Sequence, residues 1–67
     1  MAKLETNLKK YRVLADMSQD ELANLVGVRR ETIVHLEAGK YNPSLKLAFD
    51  IAKIFKVPIE ELFTFSD

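Results

Sequence analysis

Arg29 and Arg30 stand side by side two residues after a glycine, where a helical apolar pattern begins. A guanidinium presents forked N–H donors that fit a carboxylate, a phosphate or the O6/N7 edge of guanine. The chain's one histidine, His35, lies four residues after Glu31, a spacing that puts both on one side of a helix. That pair is the nearest thing to acid–base machinery, yet polar pairs at this spacing are routine on helix surfaces. With one histidine, no cysteine and no glycine-rich phosphate loop, the chain has little from which to build an active site or a zinc centre. No enzyme activity, cofactor or metal is expected.

The position of the arginines is informative. The first turn of a helix carries about half a positive charge from the aligned peptide dipoles, so a cation there costs about 0.3–1 kcal/mol. A purely structural design would put Asp or Ser there. A solvated basic pair that tolerates the cost is the bland reading. An anionic partner that offsets it accounts better for two arginines in succession.

These residues need elements to hold them. Leu8, Tyr11, Leu14 and Ala15 recur at helical spacing, so a first helix is predicted over about 6–15, capped by Thr6 or Asn7. Ser18 and Glu21 form an S-x-x-E capping box, with Met17 before the cap able to pack on Leu22. Leu22, Ala23 and Val26 give the second helix its inner stripe, and Gly27 ends it. The third helix, about 30–38, stops at Gly39. Asn42-Pro43 marks a turn, Ser44 caps a fourth helix to about Lys56, and Pro58 opens a short fifth ending near Leu62 or Phe63.

Two helices joined at a tight turn match a helix-turn-helix, which lays its second helix in the major groove of DNA. Helical geometry turns Ile33 and Leu36 inward and leaves Glu31, His35 and Ala38 roughly opposite, with Val34 at the border. The expected base-reading set is therefore Arg29, Arg30, Glu31, Val34 and His35. Arg30 is the strongest candidate, for guanine. Arg29 suits a base or a phosphate. Glu31 can accept from cytosine N4, orient Arg30 or His35, or simply favour the helix N-terminus. Val34 suits a thymine methyl. His35 suits a base or a phosphate, or is merely exposed.

Size and composition bound the rest. Sixty-seven residues make one small domain. No apolar run approaches the ~20 residues of a membrane span, and the N-terminus lacks the apolar core of a secretory signal, so a cytoplasmic location is expected. Ten basic residues balance ten acidic ones. Any attraction for nucleic acid must therefore be local, with a moderate salt dependence for each monomer.

The fourth helix is apolar around well over half its circumference, through Leu45, Leu47, Ala48, Phe49, Ile51, Ala52, Ile54 and Phe55. It is central or shared with a partner. Phe63-Thr64-Phe65-Ser66 and Ala2-Lys3-Leu4-Glu5 alternate apolar and polar; each is a short strand or a frayed end.

The pattern SQ-x-ELA-x-x-VGV-x-R-x-TI-x-x-LE-x-GK-x-x-PSL-x-x-A resembles the DNA-binding domains of Xre-like regulators, the superfamily of the lambda-type phage repressor and Cro. The resemblance covers nearly the whole chain. It implies an all-α, compact five-helix fold and a sequence-specific transcriptional regulator, acting as a homodimer on a palindromic operator. It also implies short terminal β-strands that join a dimerising sheet, as in short members of the group. By resemblance, Gln19, Thr32, Lys40 and Asn42 contact phosphates, and Arg12 with Glu37 forms a partly buried ion pair. Ala38 departs from the pattern, where a phosphate-binding asparagine is common. Ile54, Phe63 and Phe65 are the expected dimer contacts. Some relatives are antitoxins, so a module that binds a protein partner as well as DNA is the alternative. No small-molecule effector site is evident.

Overall fold

The computed structural model describes residues 3–66. Its elements run β1 (Lys3–Thr6), α1 (Leu8–Leu14), α2 (Gln19–Val26), α3 (Arg30–Glu37), α4 (Leu45–Phe55), α5 (Ile59–Leu62) and β2 (Phe63–Ser66). Each helix contributes at least one fully buried side chain to a single core: Leu8, Leu22, Ile33, Leu36, Ile51 and Leu62. Five short helices thus close on one another, and none is long and apolar enough, among the described residues, to cross a membrane. No buried side-chain nitrogen or oxygen among those residues lacks a partner, so the core is bought at no cost in stranded polar groups.

The most extensive helix–helix contact is that between α2 and α3. The capping box opens α2: Ser18 Oγ accepts from the Glu21 N–H at 3.0 Å, and the Glu21 carboxylate accepts from the Ser18 N–H at 2.8 Å. Gly27 ends it in the left-handed region (φ +74°), a conformation that costs a residue with a Cβ about 1–2 kcal/mol. Buried Ala23 lies beside that turn; its carbonyl accepts from the Val28 N–H at 3.0 Å. Gly39, after α3, has the same φ and a second reason to be glycine. A Cβ there would stand 3.0 Å from the Leu4 carbonyl oxygen.

That contact brings β1 against the end of α3. The two strands pair antiparallel within the chain, with Leu4 opposite Phe65 and Thr6 opposite Phe63. The Asn7 N–H continues the ladder to the Leu62 carbonyl at 2.9 Å. Leu4 and Phe63 sit on the inner face and are buried. The first helix is consequently shorter than its periodicity suggested, because Thr6 belongs to the strand. Asn7 occupies the cap position without capping; instead its Nδ2 donates to the Glu61 carbonyl at 3.1 Å.

α4 divides into two sides. Leu47, Ala48, Ile51 and Ala52 are buried in the core, while Leu45 and Phe49 project outward and are 79% and 53% exposed. The excess of apolar positions in this helix is thus surface.

Candidate nucleic-acid interface

α3 is eight residues long, about 12 Å, and its two sides differ in what they meet. Ile33 and Leu36 are buried. Arg29, Arg30, Glu31, His35 and Ala38 are exposed, and Thr32 and Val34 are half-buried between them. Arg29 occupies the cap position and its side chain makes no cap hydrogen bond. The Thr32 N–H donates to the Arg29 carbonyl at 3.0 Å. Neither arginine has an ion-pair or side-chain hydrogen-bond partner among the described residues. Two guanidinium groups and the positive end of a helix dipole therefore face water together.

Lys40 and Asn42 follow on the exposed loop after Gly39. The Lys40 N–H donates to the His35 carbonyl at 2.9 Å and the Gly39 N–H to the Leu36 carbonyl at 3.1 Å, so the loop leaves α3 in a fixed direction.

The far end of α3 is anchored from two other helices. Arg12 of α1 donates from Nε to Glu37 Oε2 at 2.6 Å and from Nη2 to Oε1 at 3.3 Å. Its Nη1 donates to the Met17 carbonyl at 2.8 Å. The two side chains are only 11% and 6% exposed. Gln19, at the start of α2, adds a third bond from Nε2 to Glu37 Oε1 at 3.1 Å. One carboxylate thus gathers α1, α2 and α3 at a single point and fixes the tilt of α3 on the body. Breaking such a pair leaves a buried charge uncompensated and costs several kcal/mol.

Gln19, expected to contact phosphate, donates one of its two amide N–H groups to Glu37. The first turn of α2 also offers main-chain N–H groups outward. Sequence reasoning had no means of seeing this bond, because residues eighteen apart share no local pattern.

The three expected dimer contacts differ in exposure. Phe63 is 7% exposed and belongs to this chain's own core, because strand pairing with Thr6 turns it inward. The two strands pair with each other within one chain, and each has one outer edge with no strand against it among the described residues. Phe65 is 60% exposed. Ile54 is half-buried beside Leu25 in a groove between α2 and α4. A larger groove, of about 520 Å³, lies between α4 and the start of α5. The sequence signal for it was the surplus apolar arc of α4.

Comparison with known proteins agrees with this geometry. The Helix-turn-helix (HTH_3) family model matches residues 8–62. An HTH-type transcriptional regulator of Archaeoglobus fulgidus is 56% identical over 64 residues, covering 96% of this chain and 90% of that protein. The Vibrio cholerae cryptic phage CTXphi transcriptional repressor RstR is 36% identical over 62 residues, 92% of this chain and 56% of RstR. Among solved structures, the restriction-modification controller protein C.AhdI of Aeromonas hydrophila superimposes with a TM-score of 0.72 at 30% identity, covering 81% of this chain and 82% of C.AhdI. A protein of Bacteroides fragilis of known crystal structure shares the fold, with a TM-score of 0.80 at 21% identity over 91% of this chain and 98% of that one.

Proposed function

The chain belongs to the Helix-turn-helix family of DNA-binding transcriptional regulators, and from that premise we propose that it represses transcription as a homodimer on a palindromic operator. The observation that carries the DNA half of this reading is the exposed arginine pair, without a partner among the described residues, at the dipole-positive start of α3. Arg30 reads guanine through O6 and N7, and Arg29 reads a neighbouring base or phosphate. Val34 packs on a thymine methyl, Glu31 accepts from cytosine N4 or orients Arg30, and His35 extends the contact along the groove. Lys40, Asn42 and Thr32 hold phosphates, together with the main-chain N–H groups at the start of α2 beside Gln19.

Repression follows RstR, a relative named as a transcriptional repressor. The homodimer supplies what one monomer lacks. An eight-residue helix reads about half a site, and two copies related by a two-fold axis read half-sites about 34 Å apart, one turn of duplex. Selection of binding sites from a random duplex library tests both halves. The expected product is an enriched palindrome whose half-sites contain guanine. Recovery of no enriched sequence rejects sequence-specific binding, and a single unrepeated half-site rejects the dimer on DNA.

A further inference from the structure

The chain's two tyrosines are held differently. Tyr11 of α1 is half-buried. Its hydroxyl donates to Glu61 Oε2 at 3.0 Å, and its ring centre lies 6.3 Å from that of Phe55. Tyr41, in the loop between α3 and α4, is 44% exposed. Among the described residues its ring meets no other ring or cation, and its hydroxyl has no hydrogen-bond partner. Its main-chain N–H and that of Asn42 donate to no main-chain carbonyl among those residues. The loop itself is held at both ends. The Lys40 N–H is bonded to the His35 carbonyl of α3, and Ser44 Oγ accepts from the Leu47 N–H at 3.1 Å to cap α4. Only Tyr41, Asn42 and Pro43 lie between those anchors. Pro43 fixes its own φ and disfavours helical backbone at Asn42.

We infer that Tyr41 is a DNA-contact residue: its hydroxyl donates to a backbone phosphate while its ring lies on the adjoining deoxyribose. The inference rests on the DNA reading above and adds a contact to it. The occupant is DNA because the loop continues the proposed interface. α3 leads directly into it, and Lys40 and Asn42 stand on either side of Tyr41. Phosphate oxygens and sugars accept from neutral side chains, tyrosine among them. A rigid ring on a loop already held in place orders at little entropic cost. A phenol also suits a chain of zero net charge. Contacts from Lys and Arg to phosphate release counterions and fade as salt rises, whereas a neutral donor neutralises no phosphate and adds nothing to that dependence.

Titration of the whole chain onto its selected duplex, at several salt concentrations, tests this. Tyr41→Phe removes the hydroxyl alone and should weaken binding at least about fivefold, the loss of a hydrogen bond to a charged acceptor. Tyr41→Ala also removes the ring and should weaken it further. Both should keep the wild-type slope of log affinity against log salt, whereas Lys40→Ala should make that slope shallower by about one for each monomer bound. Random-duplex selection with Tyr41→Ala should return the wild-type motif, because a backbone contact carries no base information. Urea unfolding checks that both tyrosine variants fold as the wild type does. Full affinity in Tyr41→Ala, a loss there with none in Tyr41→Phe, a shallower salt slope in either, or a motif altered at any base would each overturn the contact. A wild-type chain that selects and binds no duplex would instead take down the DNA reading beneath it.

Discussion

Helix α2 begins with a serine that accepts from the Glu21 N–H while the Glu21 side chain accepts from the serine's own N–H, and acids fill its first turn. Helix α3, one turn of chain later, begins with Arg29, which caps nothing, followed by Arg30. The two starts lie in the same motif and face the same physics: four N–H donors without intrahelical acceptors and a partial positive charge. The first meets part of these demands with its capping box and two acids. The second has no side-chain cap and sets two arginines beside its single acid, Glu31. The contrast marks the start of α2 as braced within the chain, and the start of α3 as the place where, on the proposed function, a polyanion supplies what the chain does not.

The two helices are not independent, because Gln19 from the start of one and Glu37 from the end of the other share a bond, with Arg12 beneath both. Removing that tie should have the largest effect. Arg12→Ala leaves Glu37 almost fully covered with only the Gln19 amide, and should destabilise the chain by about 3–5 kcal/mol in urea unfolding. A loss below about 1 kcal/mol would mean that the tie does not brace α3. Next in size is the cap of α2. Ser18→Ala removes the acceptor for the Glu21 N–H and should cost about 1 kcal/mol, read as a lower unfolding midpoint.

The same chemistry applied to α3 should run the other way. Arg29→Ser installs a cap and removes a cation from the helix start, and should stabilise the chain by about 0.5–1 kcal/mol while weakening its binding to selected DNA. A variant that gains stability and keeps full affinity would erase the contrast between the two starts.

The smallest effect is a pH dependence. The Ser18 N–H, and then the Ser18 side chain, hold the Glu21 carboxyl below its ordinary range. A carboxyl with a depressed folded pKa contributes stability above its unfolded pKa and loses it as pH falls through the folded one. Glu21→Gln should therefore flatten the acid side of the stability profile below about pH 4.3, and leave its alkaline side unchanged.

The features written locally in the chain were the legible ones. Ser18, Glu21, Gly27 and Gly39 each act within four residues of themselves, through a cap or a φ angle, and they marked the helix-turn-helix and the face of α3. The partners of the terminal strands were not legible in this way. A two-residue alternation shows that Phe63-Thr64-Phe65-Ser66 can be a strand, but not that it pairs with Lys3–Thr6 of the same chain rather than with another copy. The Arg12–Glu37 tie spans 25 residues, and only family resemblance pointed to it. Lys56, which follows α4 in the left-handed region at φ +57°, carried no signal at all, since a lysine says nothing of a positive φ. Phe49 was counted in an apolar arc, and only the packing of α4 shows that it projects from the surface.

On the proposed function, the start of α3 goes without a side-chain cap in order to read DNA. Arg30→Ala tests it most directly when random-duplex selection and urea unfolding are run on the same preparation. Stability should stay level or rise, while preference for guanine disappears at one position of each half-site and the other positions keep theirs. An unchanged motif and affinity, with Arg30 gone, would contradict it.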